Sequence, residues 1–395
     1  MKKKLKPETL ISHFGEEREK YEGAVVPPIF QNTLFTFESW EAIDAAFDDR
    51  VNTPIYSRGK NPSVSIVEQK IAKLAGGEKA RLFASGMAAI TAAVMHFLNA
   101  GDHVIAINNI YGPANNLLSV YLKKKMAIET TFVSGNTVEE FRGAIKPNTK
   151  LIYLESPSSA VFSIQDIAAI TELARSQNIK TVIDNTWASP VFQKPLAMGV
   201  DLEVHSCSKY IGGHSDVIAG VVIGNTDEMD SISVNEFELL GGKIAPIEAW
   251  LLMRSLRTLP IRMKAHEENA MQVARFLESH EKIESVSYPG LESFGQYELA
   301  KKQMTGFSGL MAFKLKTSDL QKIKRFFNSL GLFKIGVSWG GHESLIYAPA
   351  ISYLKELSET QFEALGISLG DMRISVGLED AGDLIDDLTQ ALATI

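Results

Sequence analysis

An acid and a lysine stand out in the stretch Val182–Asp216, VIDNTWASPVFQKPLAMGVDLEVHSCSKYIGGHSD. Thr181–Ile183 form a short apolar run that stops at Asp184, with Asn185, Thr186 and Pro190 behind it, the pattern of a buried strand ending in a loop. Leu202–His205 repeat that pattern and are closed by Ser206-Cys207-Ser208-Lys209 and the flexible pair Gly212-Gly213. Asp184 therefore sits at a strand's carboxyl end, and Lys209 in a loop among small hydroxyl residues. Each alone has an ordinary explanation, the acid as a loop cap and the lysine as a solvated side chain. Together they suggest shared chemistry.

A lysine amine becomes a catalyst by forming Schiff bases with carbonyl groups. Pyridoxal phosphate makes the richest use of that reaction, and it needs a lysine, an acid at its pyridine nitrogen, a platform for its ring and a cradle for its phosphate. Lys209 and Asp184 fit the first two, because an anion at the nitrogen favours the protonated, electron-drawing ring. Ser85-Gly86-Met87 lie between the apolar RLFA and an Ala-rich segment. Such a strand-to-helix turn either serves geometry alone or aims N–H groups at an anion. Tyr111 follows HVIAI and NNI, where its ring either packs in the core or stacks on a pyridine face. Tyr56 and Arg58 read as a core-edge aromatic and a surface cation. Arg373, near the start of RISVG, reads as a strand-edge ion pair. His205, Cys207 and His214 are not expected to bind a metal, since no further ligands cluster near them; Cys207 is expected to be a small buried residue.

The elements that must position these residues follow from periodicity. Ser39 caps a short helix with Trp40, Ile43 and Phe47 on one side, and Asn61-Pro62 opens another that Gly76-Gly77 stops. From Arg81 the apolar runs RLFAS, HVIAI, IETTFV, LIYLE and TVID alternate with helices, one opened by a capping box from Thr137 to Glu140. Strands alternating with helices predict a largely parallel sheet covered on both faces, with ligands at the carboxyl ends of the strands. After Gly241-Gly242 come two long helices near 246–258 and 260–280. Short strands (VSY, GLMAFKL, RISVGL) follow, with helices over 319–329 and 380–392 and one capped by Ser358 with Gln361. The expected organisation is an N-terminal arm (1–52), extended over residues 1–37, a cofactor-binding α/β domain (53–245) and a smaller α+β domain (246–395).

Seven separated segments carry a family resemblance: Tyr56-Ser57-Arg58, Ser85-Gly86-Met87, Glu155-Ser156-Pro157, Asp184–Pro190, Ser206–Asp216, Ser338-Trp339-Gly340-Gly341 and Arg373–Asp380. In order, from about residue 20 to the end, they resemble the motif set of the Cys/Met-metabolism (trans-sulfuration) family of pyridoxal-phosphate enzymes. The resemblance implies fold type I, with a mostly parallel seven-stranded sheet in the large domain. It implies Lys209 as the cofactor-bearing catalytic lysine, Asp184 at the ring nitrogen and Tyr111 as the stacking residue, whose hydroxyl helps with proton transfer. Gly86, Met87, Ser206 and Ser208 are assigned to the phosphate, joined by Tyr56 and Arg58 from an adjacent subunit. Arg373, with Ser338 and Trp339, is assigned to the substrate. The chain departs from the pattern at Ser159, where many relatives carry an Asn.

Within the family, Trp187 and Trp339 resemble the bacterial cystathionine β-lyases. Cystathionine-using γ-enzymes commonly carry an acid before the serine of Ser-x-Gly-Gly and bacterial β-lyase a tyrosine; here the residue is Val337. Methionine γ-lyases are similar there, but they carry a cysteine after Tyr-Gly where this chain has Pro113, as in β-lyase. The implied activity is carbon–sulfur β-elimination on cystathionine, and on cystine or S-alkylcysteines. The rivals are a γ-lyase, an acyl-homoserine-dependent synthase, and a non-catalytic binder, against which Lys209 argues.

Composition sets the bounds. The 395 residues, 45% hydrophobic with a formal net charge of −7, can bury a large core, and their cations are dispersed, against a nucleic-acid surface. Lys6, Pro7 and Glu8 interrupt any apolar run after Lys2–Lys4, and no stretch approaches a membrane span. A single cysteine fits a reducing compartment. A cytoplasmic homotetramer, a dimer of dimers acting on a small amino acid, is the expectation.

Overall fold

Apolar runs that need cover on both faces form the sheet that carries the candidate residues. The computed structural model describes residues 5–159, 161–356 and 367–395, so the helix expected from Ser358 with Gln361 lies outside the described residues. The strands of the larger sheet are β1 (Lys79–Phe83), β2 (His103–Ile107), β3 (Glu129–Val133), β4 (Thr149–Glu155), β5 (Lys180–Asp184), β6 (Leu202–Ser206) and β7 (Gly220–Gly224). They form a seven-stranded sheet in the order β1-β7-β6-β5-β4-β2-β3. Only β7 runs against its neighbours, β1 and β6. The mostly parallel α/β sheet expected for fold type I is therefore present. Six of its strands are legible as apolar runs. The seventh, β7, is completely buried and follows a glycine-containing loop, and its continuous run gives no alternation to read.

The chain divides into two units, one of residues up to Gly212 with Asp216–Pro260, the other of Gly213–Ser215 with Ile261–Ile395. The helix Pro246–Leu256 thus belongs with the larger sheet, and the division falls at Pro260, against 245/246 in the sequence reading. In the second unit β8 (Ile283–Ser287), β9 (Leu310–Leu315), β10 (Lys334–Ile335), β11 (Leu345–Tyr347) and β12 (Asp371–Ser375) form a sheet in the order β10-β11-β12-β9-β8. Helices Leu320–Ser329 and Ala381–Leu392 accompany it, capped by the side chains of Asp319 and Asp380.

Local signals set the helix ends around the larger sheet. Asn61 accepts the N–H of Ser63 ahead of Pro62, and Gly76 ends that helix in the left-handed region at φ 88°. Thr137 and Glu140 complete their capping box. The stretch read as an extended arm instead begins with a helix, Pro7–His13, which buries Leu10 and Ile11. Tertiary contacts hold it: Lys70 Nζ donates to Ile11 O (2.7 Å) and pairs with Glu16 (3.0 Å), which also pairs with Arg257 (3.0 Å). The Lys70 and Glu16 side chains are out of water, so removing Glu16 strands the Lys70 charge, at a cost of about 3–5 kcal/mol, whereas removing Lys70 leaves Glu16 its pair with Arg257. The helix Trp40–Asp48 is capped by Ser39 as expected, but its apolar side is bare, with Trp40 80% and Phe47 59% exposed. Among the described residues no helix is long and apolar enough to cross a membrane.

Candidate active site

Parallel strands deliver their carboxyl ends to one edge of the sheet, and the candidate residues gather there. Glu155 ends β4, Asp184 ends β5, Ser206 ends β6, and Lys209 follows in the turn after it. β1 and β2 run the same way and lead into Ser85-Gly86-Met87 and Tyr111.

Ser85 caps the helix Gly86–His96, its hydroxyl accepting the N–H of Ala88 at 3.1 Å. Gly86 and Met87 thus open the first turn, whose N–H groups have no intrahelical acceptors. The turn is pressed against the end of β6: a Cβ on Gly86 would come within 2.9 Å of Ser206 Cβ, and one on Gly220 within 2.3 Å of Ser85 O. The Ser206 hydroxyl therefore borders a helix start from which side chains are excluded, a fitting place for an anion. Ser208, in the following turn, bonds Ala219 N–H to its Oγ at 3.1 Å and faces Ala219 O at 3.3 Å.

Asp184 is 7% exposed. Burial raises the pKa of its carboxyl, while the Thr186 hydroxyl and N–H and the charges of His205 and Lys209 oppose that rise. Thr186 donates its N–H to Asp184 Oδ1 at 2.9 Å and its hydroxyl to the same oxygen, and that hydroxyl accepts Ser206 N–H at 2.8 Å. One threonine so ties the ends of β5 and β6 together. A buried acid whose charge is only partly compensated suits a cationic partner such as a protonated pyridine nitrogen.

On the strand edge behind the acid runs a second buried polar chain. Glu203 Oε1 accepts from Asn185 Nδ2 at 2.8 Å and lies 2.7 Å from His205 Nε2. Gln193 Nε2 donates to Asn185 Oδ1 at 3.0 Å and to Ser156 O at 2.8 Å. The loop after Asp184 is thus fastened at both ends. His205, weighed above as a metal ligand, spends its Nε2 on Glu203. Cys207 is completely buried, and burial pushes its thiol pKa up.

Tyr111, 45% exposed, precedes the helix Gly112–Asn116, and its N–H donates to Glu155 Oε2 at 2.8 Å. Tyr56 and Arg58 are grouped elsewhere, with Arg50, Lys60, Arg81 and Glu238 around a recess of their own. There the Arg58 guanidinium lies 5.7 Å from the Tyr56 ring centre and 3.9 Å from Glu238. In the second unit Arg373 Nη2 donates to Val337 O at 2.6 Å, and its guanidinium sits over the Tyr347 ring. That bond brings Arg373 beside the segment of Ser338 and Trp339.

Sequence reasoning missed Thr186 as a tie between strands, Glu155 as the holder of Tyr111, and Glu203. The last had a signal, an acid inside the apolar run LEVH.

A lysine and a buried acid on neighbouring strand ends, beside a bare helix start, are groups of the kind a phosphate-bearing carbonyl cofactor requires. Over residues 8–393 the chain matches the family of Cys/Met metabolism PLP-dependent enzymes, and it belongs to that family. Its cofactor is accordingly pyridoxal phosphate. Its relatives include a methionine γ-lyase of Treponema denticola, 40% identical over 96% of this chain and 95% of the relative. A cystathionine γ-lyase of Bacillus subtilis is 38% identical over 99% of this chain and all of the relative. A cystathionine β-lyase of Coxiella burnetii is 38% identical over 99% and 98% of the two chains. The family and these names are those of lyases in methionine and cysteine metabolism.

Thr186→Val removes the hydroxyl shared by Asp184 and Ser206 but keeps the shape, and a hydrogen bond to a charged group is worth about 1.5–3 kcal/mol. The apoenzyme variant is expected to bind pyridoxal phosphate about tenfold or more weakly in a reconstitution titration, with Thr186→Ser near wild type. Equal affinity for the Val variant would show that Asp184 does not depend on this tie.

Proposed function

We propose that the chain is a carbon–sulfur β-lyase that cleaves L-cystathionine, and also cystine or S-alkylcysteines, to a thiol such as homocysteine, pyruvate and ammonia. The observation that carries the elimination chemistry is Lys209 in the turn after β6, its charge acting on buried Asp184 at the end of β5. Pyridoxal phosphate, when bound, supplies an electron-withdrawing ring that stores the charge left at Cα. Lys209 holds the cofactor and then, as a free amine, takes the Cα proton. Asp184 would pair with the ring nitrogen and Tyr111 would cover a ring face. The N–H groups of Gly86 and Met87 and the hydroxyls of Ser206 and Ser208 take the phosphate, Ser208 turning its O–H away from Ala219 O to do so. Arg373 exchanges the Val337 carbonyl for the substrate's α-carboxylate, with Ser338 and Trp339 beside it. The Cβ–S bond would then break, the thiolate leaving with the electron pair and taking up a proton, and water would hydrolyse the released 2-aminoacrylate, through its imine, to pyruvate and ammonia.

Trp187, Trp339 and Pro113 favour the β branch, and Val337 sets the breadth of substrates. The Val337 side chain is 76% exposed while its carbonyl binds Arg373, so the wall next to that arginine is apolar. A charge-assisted bond to a distal ammonium, worth about 1.5–3 kcal/mol, is missing there. A γ-acting reading stands second, favoured by relatives named γ-lyases at the same level of identity.

Purified holoenzyme given L-cystathionine is expected to release pyruvate, with S-alkylcysteines cleaved at comparable kcat/KM and Lys209→Ala inactive. Release of 2-oxobutyrate as the main product would overturn the β assignment. A preference for cystathionine of about a hundredfold would overturn the broad specificity.

The proposed assembly is a homotetramer, a dimer of dimers, in which Tyr56 and Arg58 reach the phosphate held by a neighbouring subunit. The half-exposed Tyr56, the bare Trp40 and Phe47, and Arg58 standing outside the Lys209 group in the single chain all support it. Co-assembled Arg58→Ala and Lys209→Ala chains, each inactive alone, are expected to regain part of the activity. No recovery in verified mixed dimers would contradict shared sites.

A further inference from the structure

Glu155 belongs to a motif for which the reaction outlined above has no use, yet it occupies a telling position. In the parallel pair β4–β5 it is in register with Asp184, so the two side chains leave the sheet on the same face. Both are buried, at 5% and 7% exposure. Two carboxylates side by side out of water repel each other, and such a pair keeps a proton on one member.

Their partners decide which member. Asp184 accepts two hydrogen bonds from Thr186 and feels the charges of His205 and Lys209. The donors on Glu155 are neutral, the Tyr111 N–H at 2.8 Å and Ser159. The ionisable groups around it are Asp184 on β5, the buried phenol of Tyr153 on its own strand and the Tyr111 phenol at the adjoining helix start, with His205 and Lys209 beyond Asp184. None of those in direct company is a cation.

We propose that Glu155 is a positioning residue that remains uncharged beside Asp184, leaving Asp184 as the single anion of the pair while its own carboxyl oxygen fixes the backbone of Tyr111. Burial, and then the Asp184 charge, push the Glu155 pKa up to about 8, in line with this arrangement. The proton resides on Glu155 below that value. As the pH rises through it, a second negative charge appears next to Asp184. The proposal rests on the assignment of Asp184 to the ring nitrogen and Tyr111 to the ring face.

The test is a set of apoenzymes, wild type, Glu155→Gln, Glu155→Ala and Asp184→Asn, titrated with pyridoxal phosphate, the cofactor's absorption band then being followed with pH. Glutamine is neutral and keeps an oxygen for the Tyr111 N–H. Glu155→Gln is therefore expected to bind the cofactor within about threefold of wild type and to lack the spectral change expected of wild type as the pH passes about 8. Glu155→Ala, which loses the Tyr111 anchor, is expected to bind about tenfold or more weakly. The proposal is overturned if the Gln variant weakens as much as the Ala variant, if it fails to fold, or if it keeps the wild-type pH transition. Asp184→Asn separates the two claims: unchanged affinity and spectrum in that variant would sink the underlying role of Asp184, whatever Glu155 does.

Discussion

Two acids end neighbouring parallel strands with their side chains out of water, and low dielectric makes a second charge there expensive. That constraint shapes the edge of the sheet. Asp184 gathers what favours a negative charge, the two Thr186 donors and the nearby His205 and Lys209, while Glu155 meets only neutral donors. A buried acid with its charge partly balanced is poised for a cationic partner, and the proposed chemistry supplies one in the ring nitrogen.

The rest of the unit keeps that edge in place. Thr186 couples β5 to β6, tying Asp184 to Ser206, three residues before Lys209. Asn185, Gln193 and Glu203 fasten the loop between those strands with buried hydrogen bonds. Gly86 and Gly220 let the helix start lie directly against the end of β6 and the start of β7, where any side chain would collide with Ser206 or Ser85. At the far end of the same helix, His96 lies 2.7 Å from Glu228, which Lys180 of β5 also grips at 2.7 Å. Burial disfavours a charged His96, yet Glu236 and Glu228 outweigh it and hold its pKa above the ordinary value. A cation at a helix's carboxyl end also suits the helix dipole.

Much of this was legible where chemistry and local structure coincide. Asp184, Lys209 and Ser85-Gly86-Met87 stand at strand ends because apolar runs stop abruptly there, and Asn61-Pro62 and Thr137–Glu140 cap helices through contacts only a few residues long. What escaped depends on neighbours distant in sequence. The helix Pro7–His13 is too short to persist alone and exists through Lys70 and Glu16. β7 begins with Gly220 because the backbone of Ser85 and Gly86 comes close, a fact no local pattern states. The bond from Tyr111 to Glu155 and the register of Glu155 with Asp184 become visible only once the strand order is known. The apolar side of Trp40–Asp48 was read correctly as apolar, but periodicity does not say what covers it.

The most direct test of the whole account is chemical. Borohydride reduction of the holoenzyme, followed by digestion and mass mapping, should leave the pyridoxyl group on the peptide that contains Lys209 and on no other. A label on a different lysine, or a protein that takes up no cofactor to be fixed, would contradict it.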